Sequence, residues 1–112
     1  MKTSYFGNPK TKNNPNAVSI ARWPPRWWGK RARFISLAPP GDLVKRFKTG
    51  SVSWPDYCAE YQSVLDKNDP AEIYELLKGK ILLCYEKPGE NCHRRLVADW
   101  LEKTLKIKIP EL

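Results

Sequence analysis

The pattern of apolar and polar positions changes period several times along the chain, most sharply between Lys80 and Glu102. Ile81-Leu82-Leu83-Cys84-Tyr85 is almost purely apolar, the pattern of a parallel strand buried on both faces. Glu86-Lys87-Pro88-Gly89-Glu90 interrupts it with charge, Pro and Gly, and a helix follows whose first residues are Cys92, His93 and Arg94. In that helix Leu96, Val97, Trp100, Leu101 and Leu105 recur at helical spacing and form the expected core face. Arg95, Asp99, Glu102 and Lys103 are left to water, with Asp99 and Lys103 an i, i+4 pair. Lys106 to Ile109 then alternates with period two, which predicts a short edge strand ended by Pro110.

Upstream, Met1 to Phe6 predicts a first strand, with Tyr5 and Phe6 supplying β-propensity and Gly7-Asn8-Pro9 ending it. Lys10 to Asn16 is polar and reads as a connection. Ala17-Val18-Ser19-Ile20-Ala21, small and β-branched, predicts a second strand that runs into Arg22-Trp23-Pro24-Pro25. A short helix is expected from about Asp42 to Lys48, with Leu43 and Phe47 on one face and Gly50 as its stop. Ser53-Trp54-Pro55-Asp56 has the form of a capping box; behind it Trp54, Tyr57, Cys58, Tyr61, Val64 and Leu65 make a continuous apolar stripe. These aromatics are expected in the core, and Cys58 is expected to be a buried structural thiol. Asp69-Pro70 starts a further helix as N-cap and N1, Ile73, Leu76 and Leu77 give its buried face, and Gly79 stops it. Strands joined by helical segments predict a small α/β domain of three layers, with a short, mainly parallel sheet flanked by helices.

Length agrees with this reading, since 112 residues suffice for one domain spanning 1–112 with a single core. No apolar run approaches the roughly 20 residues needed to cross a bilayer, so no membrane partner is expected. The N-terminus lacks the apolar stretch of a signal peptide, and the expected location is the cytoplasm. Three cysteines without regular spacing argue against a secreted disulfide framework, so reduced thiols are the default expectation. The net charge of +8, read as spread along the chain, favours polyanionic partners such as nucleic acid or a nucleotide.

Ligands of parallel α/β sheets bind outside the carboxyl ends of the strands. That rule gathers Tyr5 after the first strand, Arg22 after the second, and Glu86, Lys87, Cys92, His93 and Arg94 after the buried strand. Cys92, at a helix start beside Arg and His, is either a nucleophile of lowered pKa or a small residue that packs. His93, the single histidine, is a general acid or base, or a ring that closes the helix start on a nearby carbonyl. Glu86 is a general base or one member of an ion pair. Tyr5, Arg22, Lys87 and Arg94 are the expected ligand-binding groups, the arginines as anion ligands or as partners of site carboxylates. A metal would need Cys84, Cys92 and His93 together, a spacing that fits no standard zinc pattern, so no metal and no cofactor are expected. A second candidate surface is the loop RWPPRWWGKRARF, where Trp23, Trp27 and Trp28 interleave with Arg22, Arg26, Lys30, Arg31 and Arg33.

The run LLCYEKPGENCHRRLVADWLE resembles the signature of the domain-of-unknown-function 488 family, a strand followed by a Cys-His-Arg helix start. Thr3 to Phe6, Ser19-Ile20-Ala21-Arg22 with Pro24, Leu37-Ala38-Pro39, and Trp54 through Tyr61 to Leu65 extend the resemblance over nearly the whole chain. It implies a compact α/β domain and singles out Cys92, His93, Arg94, Glu86, Lys87 and Arg22 as matching positions. It implies no reaction. One departure is visible: many members place a Gly-His pair after the first strand, where this chain has Tyr5-Phe6-Gly7.

Three functional expectations follow. The first is binding of, or chemistry on, a phosphate-bearing ligand at the Cys-His-Arg helix start. The second is a non-catalytic nucleic-acid module built on the Trp/Arg loop. The third is a protein-interaction role for exposed Trp27 and Trp28, with the protein partner unknown.

Overall fold

A computed structural model describes residues 1–87 and 89–112; Pro88, expected to help break the chain after the buried strand, lies outside the described residues. Three strands form the sheet: β1 (Lys2–Tyr5), β2 (Ala17–Ser19) and β3 (Ile81–Cys84). Among the described residues four α-helices accompany them: α1 (Gly41–Lys48), α2 (Trp54–Leu65), α3 (Pro70–Leu77) and α4 (His93–Leu105). The order in the sheet is β1-β3-β2, all parallel, so the apolar run at Ile81 is the central strand and is buried at every position. That position explains its lack of alternation, because a central parallel strand is covered on both faces.

Side chains of β3 divide between two packings. Leu82 joins Ile20, Leu43, Tyr61, Val97 and Leu101 under the helices, while Ile81 and Leu83 pack with Phe6, Ala17 and Trp28 on the opposite face. Complete burial of a leucine contributes about 2 kcal/mol, so Leu82 and Leu83 anchor both layers to one strand. The domain is α/β with a parallel sheet between two covering layers. All four α-helices share the Leu82 side or pack upon one another; a one-turn 3₁₀ helix over Arg26–Trp28 seals the other side with the indole of Trp28.

The helix starts follow the sequence signals. Ser53 Oγ accepts from the Asp56 amide at 3.2 Å, and the Asp69 carboxylate accepts from the Ala71 amide at 3.0 Å, with proline following each cap. Gly50 and Gly79 adopt φ of +77° just past α1 and α3, the left-handed conformation in which glycine ends a helix without strain. Arg46 ties α1 to α2 by reaching Asp42 at 3.0 Å and Glu60 at 2.6 Å.

Four expectations need correction. The segment Lys106–Pro110 has no regular strand pairing; instead Glu111 bridges Thr3 in parallel, with the Thr3 amide donating to Pro110 O and the Leu112 amide to Thr3 O. The period-two pattern was real, but pairing begins only where the tail comes alongside β1. Arg95 and Glu102 do not face free water: Arg95 donates to Thr3 Oγ1 and Ile109 O, and Glu102 accepts from the Ile109 amide at 2.7 Å. The returning tail covers that flank of α4 and recruits both. Asp99 and Lys103 form no ion pair within 4.0 Å, and Cys58 is half-buried at the edge of the α2 stripe rather than inside the core.

Candidate functional site

At the carboxyl ends of β2 and β3 a cavity of about 270 Å³ opens between the sheet and helices α1 and α2. Its walls bring together Arg22 and Trp23 after β2, Tyr85 and Glu86 after β3, His93 at the start of α4, Phe47 and Lys48 on α1, and Tyr57 on α2. The position is the one expected for a parallel sheet, because the central strand and its neighbour deliver their loops to the same edge.

Each polar wall group has an identifiable cause for its orientation. The Arg22 guanidinium is pinned through Nε to the Pro39 carbonyl at 2.9 Å and through Nη2 to the Ala38 carbonyl at 3.5 Å. Its Nη1 makes no hydrogen bond among the described residues, which leaves one edge of the fork for a ligand. His93 is buried, and its Nε2–H donates to the Ile20 carbonyl at 2.8 Å. A carbonyl accepts only, so Nε2 carries the proton and Nδ1 the lone pair. Among the described residues Nδ1 makes no hydrogen bond, and no sealed side-chain nitrogen or oxygen lacks a partner, so Nδ1 is open. Burial pulls the His93 pKa down to about 4, with the Ile20 carbonyl opposing this and Arg94 adding to it. The ring is therefore neutral near pH 7. Burial, then the charge of Glu86, pushes the Tyr57 phenol well up, and the same two causes raise Tyr85. The tyrosines accordingly remain O–H donors.

Beside the cavity, and not in its wall, lies a second cluster. Cys84 and Cys92 bring their sulfurs together while their Cα atoms stand 7.3 Å apart, farther than a disulfide ordinarily spans, and Cys58 lies apart from them. The physical reason is local: Cys84 is the last residue of β3 and Cys92 the N-cap residue of α4, and the two lie side by side. Cys92 is buried beside Cys84 and does not line the cavity.

Arg94 is 1% exposed and each guanidinium nitrogen has a partner: Nη1 donates to both sulfurs and to the Glu86 carbonyl, while Nε and Nη2 grip the Glu111 carboxylate. Its role is to hold the tail and the β3–α4 turn together. Cys84, Cys92 and His93 do place their donor atoms within 4.8 Å of one another. The Arg94 guanidinium donates to both sulfurs, and a positive charge there opposes a metal cation. The set does not suit a metal.

The structure thus brings Arg22, Glu86 and His93 to one cavity and leaves four predicted residues outside its wall. Tyr5 pairs in register with Cys84, on the far side of β3 from β2, so strand order separates it from the cavity. Lys87 is exposed on the loop, where its carbonyl accepts from the Glu90 amide. Cys92 and Arg94 belong to the second cluster. Sequence reasoning missed Lys48 and assigned Tyr57 to the core alone. Nothing in the spacing marked Lys48, whereas Tyr57 stood at the N-terminal end of its stripe, the end nearest the strand termini.

No helix of the described residues is long and apolar enough to cross a membrane. Residues 1–105 match the family model described as the Active DUF488-N3 subclade. No curated protein and no solved structure matches the chain.

Proposed function

The chain belongs to the DUF488 family, and from that premise we propose that it binds a small phosphate-bearing ligand with a planar ring, a nucleotide, in the cavity at the carboxyl ends of β2 and β3. The observation that carries this reading is the make-up of the wall. Two cations, Arg22 and Lys48, share it with the rings of Trp23, Phe47, Tyr57 and Tyr85. Guanidinium and ammonium groups suit phosphate oxygens, and aromatic walls suit a base.

His93 and Glu86 are the groups available for chemistry on the bound ligand. The open Nδ1 of a neutral imidazole accepts a ligand proton, and the Glu86 carboxylate beside Tyr57 is the second acceptor. The description of the subclade as active favours chemistry over binding alone. Cytoplasmic location, where nucleotides are abundant, belongs to the same reading.

Titration of the purified protein with nucleoside mono- and diphosphates, followed by tryptophan fluorescence and calorimetry, tests it. Saturable binding that weakens roughly tenfold or more in Arg22→Ala, the loss of a charge-assisted hydrogen bond, is the expected result. Absence of binding at millimolar ligand, or affinity indifferent to both Arg22→Ala and Lys48→Ala, would remove the proposal.

A further inference from the structure

We propose that single-stranded nucleic acid lies along a row of exposed aromatic side chains leading into this cavity, so that the ligand is one nucleotide of a polymer. The inference rests on the nucleotide reading of the cavity and names its substrate class. Three observations support it.

The first is the distribution of charge, which differs from the even spread expected from sequence. Residues 1–41 hold eight Lys and Arg and no Asp or Glu, while residues 42–112 hold twelve of each. The whole net charge of +8 therefore resides in the segment that builds β1, β2 and the layer over the Trp28 face. No carboxylate in that segment offsets its field. A polyanion is the complementary partner.

The second is the placement of aromatic rings. Trp27, Tyr85 and Trp23 are 43%, 49% and 47% exposed, an unusual state for residues of this size. They are also linked in space. The buried ring of Phe6 lies 6.1 Å from Trp27 and 5.1 Å from Tyr85, and the Tyr85 hydroxyl donates to the Trp23 carbonyl. The row runs from Trp27 over the sheet edge to Trp23 and Tyr85, both of which line the cavity. Every base has a π-face, so such a row accepts successive bases without reading sequence.

The third is the relation of the cations to the rings. Lys12 Nζ stands 4.8 Å from the centroid of Trp27, the Arg31 guanidinium is 5.7 Å from both Trp27 and Trp28, and Lys45 Nζ is 5.6 Å from Trp23. Lys12, Arg31 and Lys45 are all exposed. These cations lie over the ring faces, so a base that stacks on either tryptophan displaces a lysine or arginine, which is then within reach of its phosphate. Isolated surface lysines provide no such pairing.

The test uses end-labelled twelve-nucleotide oligothymidylate and oligouridylate beside the mononucleotides dTMP and UMP. The oligomers are expected to bind at least tenfold more tightly than the mononucleotides, and their affinity to fall with salt at a log–log slope of about −2 to −3, as for three or four neutralised phosphates. Trp27→Ala should weaken oligomer binding about tenfold and leave mononucleotide binding unchanged. Arg26→Glu, an exposed position beside Trp27, should act in the same direction without disturbing packing. Whichever polymer binds more tightly identifies the source.

Oligomers that bind no better than mononucleotides overturn the inference and leave the cavity reading standing. So does oligomer affinity that ignores both Trp27→Ala and Arg26→Glu. Oligomer binding that depends on Trp27 but not on Arg22, with no mononucleotide binding, keeps the aromatic row, overturns its continuation into the cavity, and removes the cavity reading.

Discussion

Arg94 Nε reaches both carboxylate oxygens of Glu111 at 3.1 Å, and Nη2 reaches Oε2 at 2.7 Å, so the tail closes on a guanidinium buried beneath it. Glu111 lies outside the family match over residues 1–105, whereas Arg94 lies inside it. The tail therefore supplies the counter-charge that the helix start requires. The same residue, Glu111, bridges β1 at Thr3, and this couples docking of the tail to the edge of the sheet.

Glu111→Gln should destabilise the fold by about 3 kcal/mol, because it leaves a buried cation with one neutral partner in place of a carboxylate. Urea unfolding measures it. Adding Arg94→Met should recover a large part of the loss, since the uncompensated charge is then gone. A loss below about 0.5 kcal/mol in the single variant would mean that the sulfurs and the Glu86 carbonyl suffice to hold the guanidinium.

Protonation of His93 sets an acid limit. Its pKa is lowered from an ordinary 6.5 to about 4 in the folded protein, so between these values the unfolded chain binds a proton that the folded chain does not. Stability from this residue is complete above about pH 6.5 and is lost progressively as pH falls toward 4, by about 3 kcal/mol in all. Chemical denaturation across this range should show the loss, and His93→Gln should flatten the curve between the two values. Ligand proton acceptance at Nδ1 should fail over the acid end of the same window.

Cys84 and Cys92 pack sulfur to sulfur, both buried, at the two ends of the loop between β3 and α4. Cys84→Ser/Cys92→Ser should destabilise the fold by about 2 kcal/mol in urea unfolding, because two hydroxyls then replace buried sulfurs. Because Tyr85 and Glu86 sit on that loop and line the cavity, nucleotide affinity should fall with it, while Cys58→Ser should change neither. Unchanged affinity in the double serine variant would show that the β3–α4 turn is held by Arg94 alone.

Lys106 ends α4 with φ of +55°, a left-handed conformation that a side chain adopts at a cost. Lys106→Gly should raise stability by about 0.5–1 kcal/mol, measured by thermal unfolding. Loss of stability would mean that the lysine side chain makes compensating contacts in solution.

Much of the fold was legible in local pattern. Ile81 to Cys84 announced a central strand because burial on both faces removes alternation, and Ser53 and Asp69 announced helix starts because capping chemistry is local. The candidate site was legible in part, since Arg22, Glu86 and His93 follow strands whose carboxyl ends a parallel sheet gathers. Tyr5 obeyed the same rule and still missed the cavity, because β3 stands between β1 and β2 and strand order leaves no local trace. The charge asymmetry between residues 1–41 and 42–112 was present in the sequence as a simple count and was obscured by averaging over the chain.

The sequence by itself determined the elements, their caps, the buried strand, and the meeting of a charged turn with a Cys-His-Arg helix start, all of which depend on neighbours within a few positions. Tertiary structure alone decided what those three residues do. Cys92 faces Cys84 because a strand end meets a helix start, Arg94 is claimed by a carboxylate seventeen positions away, and His93 turns its ring to the Ile20 carbonyl. Partners distant along the chain compete for each polar group, and only the fold settles which of them wins.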